Sequence, residues 1–223
     1  LARRAARRPW ACPAGCRPNA RADVSRAVSC GEYATGAPAL RRGGFPARAG
    51  PGFDLYSIRQ PLGVTAGPTP FNFPAMIPMW MFAPAIACGN AFILKPSERD
   101  PSVPLMLAEL LEEAGLPKGI IQVVNGDKEA VDAILHHDVI QSIGFVGSTP
   151  IAEYIYAIGC ANGKRVQCFG GAHNPMIIMP DADLDQAADA QVGERRRAAG
   201  ARRPVGGGQG PGNSPEAFRC GRV

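Results

Sequence analysis

The chain has 223 residues, 46% of them hydrophobic, and carries a formal net charge of +5. That is enough for one domain, or one and a half, with a packed core. A basic balance ordinarily points to nucleic acid, but its distribution argues against that: residues 1–31 sum to +6 and 192–223 to +5, leaving 32–191 at −6. All the basic residues of the two ends are arginine, set among Gly, Pro and Ala with little hydrophobic periodicity. Both ends are therefore expected to be disordered tails. Seven cysteines at irregular spacing, with no C-x-x-C pair and only three histidines, make no metal set and fit a reduced intracellular protein. The arginine-rich start is superficially like a transit peptide but has no apolar core of a secretory signal. The expectation is a cytoplasmic protein, with a mitochondrial matrix as the alternative, and no membrane span.

In chain order, residues 61–67 read as a short apolar strand closed by Gly67, Pro68 and Pro70. Residues 74–88 are apolar nearly all round, which predicts a buried helix, too short and proline-interrupted to cross a bilayer. A second strand follows at 91–94. The spacing predicts a helix over 101–115, with Leu105, Leu107, Ala108, Leu111 and Ala114 as its apolar face and Gly115 and Pro117 as its stop. Strands are expected at 120–124, 139–146, 164–169 and 175–179, and helices at 129–137 and 150–158. A last helix opens at Asp181-Ala182-Asp183. Strands alternating with helices of this length predict an open, doubly wound α/β sheet.

Two short stretches carry more than pattern. PFNFP at 70–74 and LKPSER at 94–99, joined by MIPMWMFAPAIACGN, closely resemble the aldehyde dehydrogenase superfamily. Within it they resemble the CoA-dependent methylmalonate-semialdehyde dehydrogenases, which also act on malonate semialdehyde. The resemblance is loose from Glu32 and firm from Gly52 to about Val192. It implies a partial Rossmann-like NAD-binding domain over 32–191, with the catalytic domain missing, and tails at 1–31 and 192–223. Full-length relatives are homo-oligomeric; this chain is not expected to assemble in their way.

The resemblance assigns Asn72 to the oxyanion hole, where a side-chain N–H stabilises charge developing on a thioester-forming carbonyl. Read alone, Asn72 is more simply a turn residue satisfying backbone groups of the turn. Lys95 and Glu98 follow a strand end, where open α/β sheets bind ligands. By resemblance they hold the adenosine ribose of NAD, and Glu98 would repel a 2′-phosphate; the alternative is a surface lysine and a capping glutamate. Arg99 completes the KPSER signature and is placed beside the cofactor, or else is a solvated charge. Thr69, through its backbone, and Phe71 line the cofactor site by resemblance, although Phe71 also suits a core. Ser148 stands between strand and helix, where a helix N-terminus can hold a pyrophosphate or Ser148 can serve as an N-cap. Gly170, with Gly171, matches a glycine pair that lets backbone approach the nicotinamide.

Phe169 stands where most relatives carry a general-base Glu. The methylmalonate-semialdehyde branch also lacks it, which fits release of a thioester to CoA. His173 is read as structural, and His136-His137 as a helix terminus carrying histidine for its dipole. The family's nucleophilic cysteine would fall near Arg203, where none stands. Turnover by this polypeptide is therefore not expected, and the abrupt change to Arg, Gly, Ala and Pro suggests a shifted reading frame at both ends. The rival readings are a non-catalytic NAD-binding module, another NAD-dependent aldehyde dehydrogenase, and an arginine-tailed RNA-binding protein, which the tails' lack of any recognition pattern disfavours.

Overall fold

A computed structural model describes residues 17–171 and 176–189. The expectations placed on His173, Pro175, Arg203 and most of both tails lie outside these residues. The elements in order are α1 (Arg17–Thr35), α2 (Ala37–Leu40), β1 (Val64–Pro68), α3 (Met76–Ala87), β2 (Ala91–Lys95), α4 (Ser102–Glu113), β3 (Ile121–Val123), α5 (Lys128–His136), β4 (Ile140–Val146), α6 (Thr149–Ala161) and β5 (Arg165–Phe169). Within the sheet every strand pairing is parallel, and the strand order is β3-β2-β1-β4-β5. Sequence order reverses between β1 and β4, which makes that boundary the topological switch point of a doubly wound sheet.

Each face of the sheet has its own core. On one side Phe92 and Leu94 of β2 pack with Phe82 of α3, Val103 and Leu107 of α4, and Val24 and Ala27 of α1. On the other, Ala66, Ile143 and Phe145 pack with Ile134 and Leu135 of α5 and Ala152 and Ile155 of α6, with Ile93 set against them. Alternation of Phe92, Ile93 and Leu94 between the two cores follows from the two-residue period of a strand. Phe82 and Phe92 meet edge-on at 6.3 Å between centroids. Gly67, next to the last residue of β1, is required by the same packing: a Cβ there would stand 2.6 Å from the Phe92 ring and 2.7 Å from Met81 Sδ.

Two expectations are corrected. Residues 17–31, expected to be part of a disordered tail, form most of α1. Its buried stripe is made of Asp23, Val24, Ala27 and Ala34, small or polar side chains that leave almost no hydrophobic signal among the arginines. The strand expected at 175–179 is not formed over 176–179: Met176, Ile177, Ile178 and Met179 are all exposed and unpaired as strand. The described residues 176–189 belong to a separate unit. Within it Asp183 caps the expected last helix, its Oδ1 accepting from the N–H groups of Asp185 and Gln186 at 3.0 and 3.1 Å.

Lys164 explains how β4 and β5 are registered. It is buried, and its Nζ donates to the carbonyls of His137 at 2.6 Å and Ile140 at 2.9 Å. These are the groups that end α5 and begin β4. His136, in the last turn of α5, has its Nδ1 2.8 Å from the Asp132 carbonyl, and His137 Nδ1 accepts from the Val139 N–H in the link to β4. No helix among the described residues is long and apolar enough to cross a membrane. Among the described residues no group of three or more His, Cys, Asp or Glu could hold a metal.

Candidate functional site

The C-terminal ends of β1 and β2 bring together five of the eight residues singled out above. Pro68 pairs with Lys95 at the end of the two strands. One residue on, the Thr69 N–H donates to the Lys95 carbonyl at 2.9 Å, fixing the start of the PFNFP turn against the end of β2. Lys95 is buried, and its Nζ reaches Glu98 Oε2 at 3.4 Å. Glu98 is half-exposed and also faces Arg99 Nε at 3.8 Å. Its own backbone N–H donates to the carboxylate and holds its pKa below the ordinary value; desolvation opposes this, while Lys95 and Arg99 add to it. The Arg99 guanidinium in turn stands 5.0 Å from the centroid of Phe71. Thr69, Phe71, Lys95, Glu98 and Arg99 thus form one continuous rim.

Two polar groups on the turn after β1 make no hydrogen bond among the described residues. Thr69 Oγ1 is buried and has no hydrogen-bond partner among the described residues, which is uncommon for a hydroxyl inside a protein. The side-chain amide of Asn72, an exposed residue, has no hydrogen-bond partner among the described residues either. The self-satisfied turn residue that a plain reading of Asn72 allows is therefore not what forms.

Ser148 and Gly170 lie across the switch point, after β4 and β5. Ser148 is the N-cap of α6 in extended conformation (φ −73°, ψ 150°), and its hydroxyl makes no capping bond. The Gly147 N–H donates to the Phe169 carbonyl at 3.0 Å, joining the two strand ends. Gly170 has a packing reason of its own: a Cβ there would meet Thr149 Oγ1 at 3.0 Å and Thr149 Cα at 3.1 Å. The hydroxyl of Thr149 accepts the Gly171 N–H at 2.8 Å. Thr149 was missed in the sequence because a threonine at the first turn of a helix is unremarkable there.

Asp23 was missed as well. From α1 its Oδ2 accepts the Ala75 N–H at 3.0 Å and its Oδ1 the Met76 N–H at 2.9 Å, at the start of α3. Fifty-odd positions separate the partners, and no local motif signals such a bond.

Comparison with known proteins agrees with this geometry. The aldehyde dehydrogenase family profile matches residues 14–202, starting before and ending beyond the expected 32–191. A malonate-semialdehyde dehydrogenase of Pseudomonas aeruginosa is 58% identical over 175 residues, which is 78% of this chain and 35% of that protein. One from Bacillus pumilus is 49% identical over 82% of this chain and 38% of its own length. Among solved structures, a protein of Sinorhizobium meliloti 1021 described as a methylmalonate-semialdehyde dehydrogenase complexed with NAD superposes with a TM-score of 0.75 at 67% identity. It is covered to 36% and this chain to 79%. A methylmalonate-semialdehyde dehydrogenase of Oceanimonas doudoroffii gives the same TM-score, 0.75, at 58% identity. The chain spans little more than a third of the length of these relatives. With five parallel strands in this order, both signature turns on one rim and a profile match over most of its length, the chain belongs to the aldehyde dehydrogenase family.

Proposed function

We propose that this chain is the nucleotide-binding part of an NAD-dependent, CoA-acylating dehydrogenase that oxidises malonate or methylmalonate semialdehyde to an acyl-CoA. The observation that carries the reading is Lys95: a buried ammonium whose Nζ meets the half-exposed Glu98 carboxylate at the end of β2, beside the unpartnered Thr69 hydroxyl. A carboxylate and an ammonium 3.4 Å apart at a strand end suit the two hydroxyls of a ribose, as acceptor and donor. The residues present fit NAD on these grounds, and the likeness to an NAD complex at 67% identity supports the choice.

NAD, when bound, takes the hydride that leaves the aldehyde carbon. The chain's own residues do the rest of what can be read here. Glu98, kept ionised by its own N–H and by Lys95, holds ribose hydroxyls and repels a 2′-phosphate. Phe71 and Arg99 make a stacked edge to the site. Asn72 offers its amide N–H to the oxygen on which negative charge develops. The exposed N-terminus of α6 at Ser148 presents backbone N–H groups to the pyrophosphate. Phe169 offers no carboxylate to activate water, which favours release of the acyl group to the CoA thiol.

By itself the polypeptide is read as a cofactor-binding part that does not turn over. Cys168 lies in β5, and burial pushes its thiol up to about 11, which suits a nucleophile poorly. The bacterial relatives favour a cytoplasmic setting.

The test is calorimetric titration of the whole chain with NAD, beside Glu98→Ala. Saturable binding weakened at least about tenfold by the substitution is expected for a charged contact removed from the site. Binding indifferent to Glu98→Ala would refute the assignment. A turnover assay with malonate semialdehyde, NAD and CoA is expected to be silent, and NADH formation would overturn the reading of the chain as inactive alone.

A further inference from the structure

We infer that Asp23 is a positioning residue for the 69–75 turn, fixing Phe71 and Asn72 from a separate helix through its two bonds to the first N–H groups of α3. The inference rests on the reading of that turn as part of the cofactor and oxyanion site.

The start of α3 has no cap of its own. Its N-cap is Ala75, which has no side chain to fold back, and its first turn carries no acid. The first N–H groups of any helix lack intrahelical partners and need one from elsewhere when they are buried. Ala75 and Met76 are both buried, to 1% and 5% exposure. Asp23, itself 6% exposed, supplies both acceptors, one oxygen to each N–H. A bidentate carboxylate at a helix start fixes the direction of the axis and the entry of the chain, more than a single hydroxyl cap would.

Besides the Arg99 guanidinium over the Phe71 ring, the turn is held at its two ends. Between the Thr69 N–H, bonded to Lys95 O, and the Ala75 N–H, bonded to Asp23, the Asn72 amide has no hydrogen-bond partner among the described residues. These two anchors bracket Phe71 and Asn72. One belongs to the sheet and sets where the turn begins; the other belongs to α1 and sets where it ends. Val24 and Ala27, beside Asp23 on α1, pack in the same core as Ala75 and Phe82, so α1 is held firmly enough to act as a reference. Asp23 also lies near enough to Asp100 to repel it electrostatically, and Asp100 directly follows the Lys95–Arg99 segment.

The experiment compares the whole chain with Asp23→Ala, Asp23→Asn and Val24→Ala. Val24→Ala weakens the same α1–α3 packing, next to Ala75, but leaves both Asp23 bonds in place. Two readouts are taken: the dissociation constant for NAD, and the backbone amide resonances and hydrogen exchange of Phe71, Asn72, Ala75 and Met76. Asp23→Ala is expected to speed exchange at Ala75 and Met76 by roughly tenfold, to shift Phe71 and Asn72, and to weaken NAD by a similar factor. Asp23→Asn, which keeps one acceptor oxygen, is expected to fall between wild type and Asp23→Ala in both readouts. If Asp23→Ala does not fold, Asp23→Asn decides against wild type. Unmoved Phe71 and Asn72 resonances would overturn the inference, as would an equal loss of NAD affinity in Val24→Ala at matched stability. Should the wild-type chain fail to bind NAD, the cofactor reading falls, and the resonances alone still decide what Asp23 does to the turn.

Discussion

The guanidinium of Arg99 lies 5.0 Å from the centre of the Phe71 ring, joining the loop after β2 to the turn after β1. Arg99 also pairs with Glu98 at 3.8 Å, so the cation is shared between an aromatic face and a carboxylate. An exposed cation–π contact contributes about 0.5–1 kcal/mol. A double-mutant cycle on Arg99→Ala and Phe71→Leu, read by urea denaturation, should return a coupling energy of about that size. Strict additivity would show that the two side chains are neighbours without interacting.

Lys164 predicts a larger effect away from the site. Lys164→Met keeps the length of the side chain and removes the donor shared by the His137 and Ile140 carbonyls. Leaving buried acceptors unsatisfied costs about 1–3 kcal/mol, so the urea midpoint should fall clearly. Lys118→Met, at an exposed position, should change stability by no more than about 0.5 kcal/mol.

Gly67→Ala tests how tightly β1 is packed. The added methyl meets Phe92 and Met81 inside van der Waals range, and Phe92 is itself buried to 3% exposure. Overpacking of this kind costs about 1–3 kcal/mol. Thermal unfolding should show the loss, and Met81→Ala in the same background should recover part of it.

Acid titration should separate two carboxylates of opposite sign. Burial raises the Asp23 pKa above its ordinary 3.8, against the Met76 and Ala75 N–H groups and Arg26, which lower it. Asp100 faces Asp23, and is itself raised by its own burial and then by Asp23, against the Ser102 N–H. For a raised acid the folded state holds the proton longer than the unfolded chain. Its contribution is therefore complete below pH 3.8 and is lost as pH rises through the folded value. Glu98 is lowered, so its contribution is present above its ordinary 4.5 and disappears as pH falls through the folded value. Denaturation curves of Asp23→Asn and Glu98→Gln against wild type, taken across this acid range, should diverge in opposite senses. Parallel curves would contradict the assignment.

Thiol chemistry offers a simpler check. With Cys168 at about 11, on the order of one molecule in a thousand carries its thiolate at pH 8. Cys160 is exposed on α6. Peptide mapping after brief iodoacetamide treatment should find Cys160 modified well before Cys168.

Legibility of this chain followed short contiguous motifs. Thr69, Phe71, Lys95, Glu98 and Arg99 were singled out by the resemblance that 70–74 and 94–99 carry, and the structure brings the two stretches together at neighbouring strand ends. The parallel order was readable because apolar strands alternate with helices at even spacing. Asp23 and Lys164 work across 52 and 24 to 27 positions, and nothing beside them in the chain reports the partner. Helix α1 hid behind its small buried residues, whereas 176–179 advertised an apolar run with no strand to pair it. At Gly170 the backbone packs against Thr149, 21 positions earlier, and nothing beside Gly170 in the chain reports that contact.

The strand order also dictates a timetable. Val64 pairs with Ala91 on one side and with Ile140 on the other, and the second loop is roughly three times as long as the first, which adds only about 1 kcal/mol of closure entropy. Synthesis, however, delivers Ile140 several seconds after Ala91, at about 5–20 residues per second. The core shared by α1, α3, α4 and β2 is complete in sequence by then, while β1 still waits with one edge bare. A nascent chain at that stage presents the bare edge of β1 to whatever strand arrives first, so every residue between Ala91 and Ile140 lengthens the time that edge stays open.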